Sequence, residues 1–368
     1  MKKLGLVVNP IAGMGGRVGL KGTDGPEALR RAIELGAEPV APERAIAALE
    51  RLIPLKDQIQ LITYPGEMGE SEARKCGFDP VVVGEVREGQ TTAEDTKDAV
   101  RRMVELGVDL ILFVGGDGTA GDIHDAVGNR VPVLGVPSGV KIYSAVFANT
   151  PEAAGEVAAL FLSHGLPLRE AEIMDIDEEA YRRDELAADL KGYASVPYEP
   201  IMMQAGKESS SGFETADQKA IARWMVELME RGRVYILGPG TTTRAVAEEL
   251  GIYDSTLLGV DLIVDYKLMK KDVNERQILE AIEGRPASII VSPLGRQGFI
   301  FGRGNQQISP RVIRKAGRKN IIVLATPQKL SLTPVLKVDT GDPALDGELR
   351  GYIPVITGYM QTHMVKVL

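Results

Sequence analysis

The first third of the chain alternates short apolar runs with helical patterns. The apolar runs, which predict strands, are Leu4–Val8, Gln60–Thr63, Asp109–Val114 and Val131–Val136. The helical patterns lie at Ala45–Leu52, Thr92–Leu106 and Asp122–Val127. Strands that alternate with helices form parallel βαβ units, and strands that are apolar along nearly their whole length are buried on both faces. The pattern predicts an α/β fold whose first domain is a doubly wound parallel sheet, in which ligands bind beyond the carboxyl ends of the strands.

A second series of elements follows the helix predicted at Pro151–Ser163 and a mixed, charge-rich stretch at Leu166–Met203. Its predicted strands are Val234–Leu237, Leu257–Val264, Ala287–Val291 and Asn320–Ala325. Its predicted helices are Asp217–Arg231, Thr243–Leu250 and Glu275–Glu283. We therefore predict a first domain at residues 1–160 and a second, mixed α/β or β-rich domain at residues 161–368. Residues 321–368 could pack back on the first domain.

Composition narrows the class of protein without naming a function. The chain has 43 basic and 51 acidic residues, and its net charge of −8 argues against an extended basic surface for nucleic acid. No apolar run is long enough to span a bilayer. Cys76 is the only cysteine, so no internal disulfide can form, and the three histidines have no zinc-ligand spacing. We expect a cytoplasmic protein that binds a small molecule and no membrane, with homo-oligomer formation left open.

The turn Gly115–Thr119, with the sequence Gly-Gly-Asp-Gly-Thr, directly follows a buried strand. Its glycines let the backbone adopt positive φ and let a phosphate approach the peptide N–H groups, and the following helix offers its positive amino end to the same anion. Asp117 beside a phosphate can accept a proton from an attacking hydroxyl or organise a metal ion. In a plain strand–helix connection it would only cap the helix. We predict that Asp117 is catalytic and that the nucleotide contacts are Gly115, Gly116, Gly118 and Thr119.

Two further polar turns follow strands of the same predicted sheet. Asn9–Gly16 follows the first strand, and we predict that Asn9 and Gly13 contact the ligand. The stretch Val133–Lys141 ends in a polar turn. There Ser138 can offer a hydroxyl, Gly139 an amide N–H and Lys141 a positive charge to one ligand. Because carboxyl ends of parallel strands meet at one edge, these turns are expected beside Asp117.

A fourth polar turn, Gly238–Arg244, lies between a predicted strand and a predicted helix. Its hydroxyls and helix amino-end amides indicate a second anion site, although threonine also caps helices well. The segment Arg296–Gln307 contains several polar side chains between glycines. These side chains could bind a ligand or contact neighbouring loops. The predicted contacts from these two segments are Gly240, Thr241, Thr242, Thr243, Arg244 and Asn305.

The Gly115–Thr119 turn, together with Asn-Pro-x-Ala-Gly at Asn9–Gly13, resembles the superfamily of NAD kinases, diacylglycerol and sphingosine kinases and 6-phosphofructokinases. The fuller set of motifs is similar to one branch, the predicted ATP- or polyphosphate-dependent NAD kinases related to the acetoin-catabolism protein X. These motifs, which span nearly the whole chain, are Asn9–Gly25, Gly115–Asp122, Gly135–Ala148, Gly238–Ala245 and Ser292–Pro310. The resemblance implies that ATP or polyphosphate phosphorylates NAD to NADP. It also implies that Mg²⁺ offsets phosphate charge while Asp117 accepts the hydroxyl proton or holds the hydroxyl in line.

The chain departs from that family at two points. Typical NAD kinases bind NAD through an Asn-Glu pair and an Asn-Pro-Thr-Gly-Ser-Thr-Ala-Tyr stretch. Here Asn274-Glu275 falls in a predicted helix, and Gly238–Arg244 echoes the second stretch only loosely. That turn looks equally like the phosphate loop of ribose-5-phosphate isomerase. Two alternatives therefore stay open: an NAD(H)-binding regulatory protein without kinase activity, and a kinase of a sugar, a polyol or a lipid head group.

Overall fold

The computed structural model describes residues 1–20, 26–86, 91–138, 142–176, 188–199, 202–203, 212–294 and 297–368. Two residues of the predicted site, Gly139 and Lys141, lie outside the described residues. Within the described ranges, no helix is both long and apolar enough to cross a membrane.

The first domain is built on a parallel sheet. Its strands are β1 (Lys2–Val8), β2 (Ile59–Thr63), β3 (Val81–Val82), β4 (Leu110–Gly115) and β5 (Val133–Pro137). They lie in the order β3–β2–β1–β4–β5, and every neighbouring pair is parallel. Each residue of β4 is buried, so both faces of the sheet are covered. The doubly wound parallel sheet predicted from the sequence is confirmed.

Helices connect these strands and cover the sheet. They are α1 (Pro26–Glu34), α2 (Ala41–Glu50), α3 (Glu70–Lys75), α4 (Ala93–Glu105), α5 (Asp117–Val127) and α6 (Pro151–His164). The helices pack in pairs, α2 with α6 and α4 with α5. Thr150 begins α6 by accepting a hydrogen bond from the N–H of Ala153, and Pro151 occupies the first turn, where its missing N–H costs nothing.

An antiparallel hairpin extends the first core beyond α6. Its strands are β6 (Leu168–Ile176) and β7 (Ala188–Pro197), and it packs against α5. Alternate side chains of the hairpin, including Ala171, Ile173, Ala194 and Val196, are buried in the hydrophobic core of the first domain. The period of two places these residues on the face that meets the domain.

The second domain contains a larger mixed sheet. Its strands are β8 (Val234–Leu237), β9 (Asp261–Val264), β10 (Lys267–Lys270), β11 (Ala287–Val291), β12 (Phe299–Phe301), β13 (Ile321–Leu324), β14 (Val335–Val338), β15 (Gly351–Gly358) and β16 (Gln361–Val367). They lie in the order β10–β9–β8–β11–β13–β15–β16–β14–β12. Strands β8, β11, β13 and β15 are parallel, whereas β9 and β16 run antiparallel to β8 and β15.

Helices cover both faces of the parallel part of this sheet. They are α7 (Gly212–Glu227), α8 (Thr241–Glu249), α9 (Glu275–Ala281), α10 (Pro310–Ala316), α11 (Pro327–Leu332) and α12 (Pro343–Leu349). In β8, Val234 and Ile236 join one hydrophobic cluster, while Tyr235 and Leu237 join another. Successive strand residues point to opposite faces, so two cores sandwich the sheet. The predicted mixed, strand-rich second domain is confirmed.

Polar contacts join the two domains. The guanidinium of Arg44 in α2 pairs with Asp339 at 2.5 Å, and Arg303 donates to the carbonyl oxygen of Asn149 at 2.6 Å. The amide of Gln297 donates to the carbonyl oxygen of Ile142 at 2.8 Å. These contacts place the residues on both sides of β12, and the residue after β14, against α2 and the chain that follows β5.

Candidate functional site

The turns that follow β1, β4 and β5 meet at one edge of the first sheet, as the sequence predicts. The N–H of Asn9 donates to the carbonyl oxygen of Val114 at 3.0 Å, and the N–H of Ser138 donates to that of Gly115 at 3.1 Å. These bonds extend the parallel ladders one residue beyond the strands. The polar residues at the three strand ends are thereby held in adjacent positions.

Asn9 and Thr119 connect the first strand end to the helix after β4. The side-chain amide of Asn9 donates to the Thr119 hydroxyl at 3.0 Å, and its oxygen accepts the N–H of Ile11 at 3.3 Å. A methyl group on Gly115 would overlap the Thr119 side chain. Gly115 is therefore required by packing within the turn, independently of any phosphate.

Gly13 brings the loop after β1 against the end of β5. Its φ is +83°, in the region that favours glycine, and a methyl group there would overlap the carbonyl oxygen of Ser138. The predicted contacts Gly13 and Ser138 therefore touch each other.

Asp117 is the first residue of α5, so this helix begins five residues earlier than the sequence pattern predicts. Its side chain is buried, and its two carboxylate oxygens accept the backbone N–H groups of Tyr143 and Ser144, each at 2.9 Å. Burial raises the pKa of Asp117 to about 6, although the hydrogen bonds from Ser144 and Tyr143 oppose the shift. In this conformation the carboxylate anchors the chain that follows β5.

A cavity of about 700 Å³ lies between the domains at this edge. It has the volume expected of a small-molecule site. Of the predicted ligand contacts that the structure describes, Gly13 and Ser138 line this cavity, whereas Asn9, Asp117 and Thr119 do not. The cavity therefore lies beside the Gly115–Thr119 turn, and the turn does not line it.

Charged side chains of both signs line the cavity. The arginines are Arg17, Arg44, Arg51, Arg303 and Arg350; the carboxylates are Glu38, Glu43, Glu152, Glu156, Asp339 and Asp346. Asp339 lies between two of the arginines, at 2.5 Å from Arg44 and 3.1 Å from Arg303. Burial lowers the pKa of Arg303 to about 10, opposed by Asp339, so this guanidinium is charged at neutral pH.

The turn Gly240–Arg244 lies in the second domain at the amino end of α8. Thr241 accepts a hydrogen bond from Gln218 at 3.0 Å, the Thr243 hydroxyl donates to the Gly240 carbonyl at 2.9 Å, and Arg244 pairs with Glu248. The Thr242 hydroxyl is buried without a partner among the described residues. None of these side chains lines the cavity, so the structure does not join this turn to the strand-end cluster.

Asn305 organises its own loop. Its side chain accepts the N–H of Gly302 at 3.0 Å and donates to the carbonyl oxygen of Ile300 at 2.9 Å. The neighbours Arg303 and Gln306 line the cavity instead. Their signal in the sequence is the glycine-rich, donor-rich segment in which they occur, while Arg44 and Asp339 carry no local signal.

A protein-family model matches each half of the chain. The model of the ATP-NAD kinase N-terminal domain matches residues 4–166, and that of the ATP-NAD kinase C-terminal domain matches residues 232–367. The chain belongs to the ATP-NAD kinase family. No curated protein matches it significantly. The two domain models support a kinase that acts on NAD.

The Asn274-Glu275 pair of this ATP-NAD kinase family member lies at the beginning of α9. Asn274 caps the helix by accepting the N–H of Gln277 at 3.0 Å, and Glu275 accepts the hydroxyl of Ser309 at 2.6 Å. The backbone N–H of Glu275 also donates to the carbonyl oxygen of Arg17. Both side chains therefore have structural partners, and the pair lies against the loop that follows β1.

Proposed function

We propose that this protein transfers a phosphoryl group from ATP or polyphosphate to the 2′-hydroxyl of the adenosine ribose of NAD, giving NADP. The observation that carries the proposal is the cluster of strand-end turns, tied by the Asn9–Thr119 and Ser138–Gly115 hydrogen bonds, beside a cleft of about 700 Å³. The two family matches supply the substrate class.

Asp117 is the proposed proton acceptor for the ribose hydroxyl. A carboxylate whose pKa is about 6 is ionised at neutral pH, yet basic enough to accept a proton as the oxygen attacks. Each of its oxygens keeps a second lone pair beside the hydrogen bond from Tyr143 or Ser144. Because Asp117 is buried and does not line the cleft, the chain that carries Tyr143 and Ser144 has to shift before the substrate hydroxyl can reach it. The remaining proposed contacts are Asn9, Gly115, Gly116, Gly118, Thr119, Gly139 and Lys141.

Mg²⁺ is the ion that this reaction class implies, and it is usually held by one or two carboxylates together with substrate phosphates. Among the described residues, no group of three or more His, Cys, Asp or Glu side chains could hold a metal ion by itself. We propose that a carboxylate of the cleft wall, such as Asp346, would hold the ion together with the substrate phosphates, whose charge it would offset.

The experiment is NADP formation by the purified protein with Mg²⁺ and NAD, run separately with ATP and with polyphosphate. Asp117→Asn should lower turnover by about 10²–10⁴-fold, the usual contribution of a positioned base, while nucleotide binding persists. No NADP from either donor would contradict the proposal.

One observation favours a second function, an NAD(H)-binding regulator without turnover. Asp117 is buried, each of its oxygens accepts a backbone N–H group, and the residue does not line the cleft. On this alternative Asp117 is a structural anchor. NAD affinity that is independent of Mg²⁺, with no NADP formed, would select it.

A further inference from the structure

Arg303 has an unusual set of partners for a buried arginine. Only 2% of it is exposed, and among the described residues no acceptor faces its Nε or Nη1 atoms. Three of the five N–H donors of the guanidinium belong to these two atoms. Buried donors without acceptors are costly, and more so when the group is charged, so an arrangement of this kind points to a missing partner.

The rest of the guanidinium is firmly held. Its Nη2 donates to the carbonyl oxygen of Asn149 at 2.6 Å and lies 3.1 Å from Asp339, and its central carbon lies 4.9 Å from the ring centre of Phe299. Asp339 also neutralises Arg44 in part, because the two groups are paired. Glu152 and Asp346 also lie near Arg44, whereas Asp339 is the only carboxylate among the described residues that raises the pKa of Arg303.

Ser138 faces the same cavity from the first domain. It is 6% exposed, and its hydroxyl oxygen likewise has no partner among the described residues. It lies at the end of β5, where Gly13 allows the loop after β1 to approach. Each domain thus supplies to the wall of one cavity a buried polar side chain with hydrogen-bonding atoms that have no partner in the described part of the chain.

We propose that Arg303 and Ser138 together form a phosphate subsite in the cleft between the domains. The subsite rests on the proposed function, because it takes a phosphate of the nucleotide or of polyphosphate. Arginine suits this ligand: its planar guanidinium donates several hydrogen bonds to phosphate oxygens and stays charged when buried. Asp339 and Asn149 act as positioning groups that fix the orientation of Arg303.

The test measures the Kd of inorganic pyrophosphate by titration calorimetry on the full-length protein. Arg303→Lys keeps the charge but removes the guanidinium donors, and it should weaken binding at least about tenfold. Ser138→Ala should weaken it about three- to tenfold. Arg233→Lys is the matched control, because Arg233 hydrogen-bonds Ser288 and Asn320 in the second domain, away from the cleft, and its Kd should stay within about twofold.

Competition assigns the source of the phosphate. Displacement of pyrophosphate by ATP or tripolyphosphate places the donor at the subsite, and displacement by NAD alone places the acceptor there. If wild-type protein does not bind pyrophosphate, or if both variants fold and bind it as wild type does, Arg303 is only a structural clamp and the inference is wrong. Should Arg303→Lys fail to fold, Ser138→Ala decides.

The two proposals fail separately. NADP formation with an unchanged pyrophosphate Kd in the variants leaves the kinase standing and removes the subsite. Loss of pyrophosphate binding in the variants of a protein that makes no NADP leaves the subsite standing and removes the kinase.

Discussion

A side chain on Gly13 would overlap the carbonyl oxygen of Ser138. Gly13 lies in the loop after β1 and Ser138 directly follows β5, and these two strands lie on either side of β4 in the sheet. Their backbone contact closes the loop after β1 over the carboxyl end of β4. Because both also line the cleft, the closeness of the two loops determines the shape of its first-domain wall.

Gly13→Ala is therefore expected to displace the loop after β1. We predict that it weakens binding of NAD and of ATP at least about tenfold, since a shift of about 1 Å in a positioning loop has effects of that size or larger. Gly36→Ala is the matched control: its φ of +82° is nearly identical to that of Gly13, but a methyl group there meets no atom within 4 Å. Both variants carry the backbone strain of alanine at positive φ, and only Gly13→Ala adds the overlap. Equal affinities in the two variants, measured by calorimetry, would contradict the prediction.

The shared strand edge could be predicted from the sequence because parallel strands place their carboxyl ends together whatever the details of packing. The buried strand before Gly115 and the polar turns after it are local signals. The start of α5 at Asp117 could not be predicted, since two glycines in its first turns lower helix propensity, and the tertiary contacts of Asp117 and Thr119 that oppose this effect come from distant parts of the chain.

The sequence around each charged residue gives even less indication that these residues form a wall of the cleft. Arg44 and Asp339 are 295 residues apart in sequence, and their pairing depends on how the two domains meet.

The turn Gly240–Arg244 has a clear local pattern, but that pattern does not decide its function. Its local pattern fits an anion site and a helix cap equally, and the Thr243–Gly240 and Gln218–Thr241 hydrogen bonds satisfy most of its side chains internally. Its role as a nucleotide contact stays a prediction.

The rate of NADP formation should depend on the ionisation of Asp117. Burial raises its pKa to about 6, and a protonated carboxyl cannot accept the ribose proton. We predict that kcat/KM is flat at neutral pH and falls about tenfold per unit below pH ~6. Donor phosphates titrate in a similar range, so donor affinity must be measured by calorimetry across the same pH values. Activity that persists unchanged to pH ~5, well below the pKa of Asp117, would exclude this carboxylate as the base.

Glu72 in α3 should make the free energy of unfolding depend on pH. It is 1% exposed, its Oε2 has no partner among the described residues, and burial raises its pKa from the ordinary value of 4.5 to about 7. Between these two pH values the folded state keeps a proton that the unfolded chain releases. The contribution of Glu72 to the free energy of unfolding is therefore fully present below pH ~4.5, and it is lost as the pH rises to ~7, a fall of roughly 2–4 kcal/mol. Glu72→Gln should remove this fall in the free energy of unfolding, measured by urea unfolding at pH 5 and 8.

Glu70→Gln is the control in the same helix. Hydrogen bonds from Gly66 and Arg74 lower the pKa of Glu70, so this variant should lose stability above pH ~4.5 yet keep the fall due to Glu72. The same pH dependence in Glu72→Gln as in wild type would show that the carboxylate reaches water or a cation before the protein unfolds.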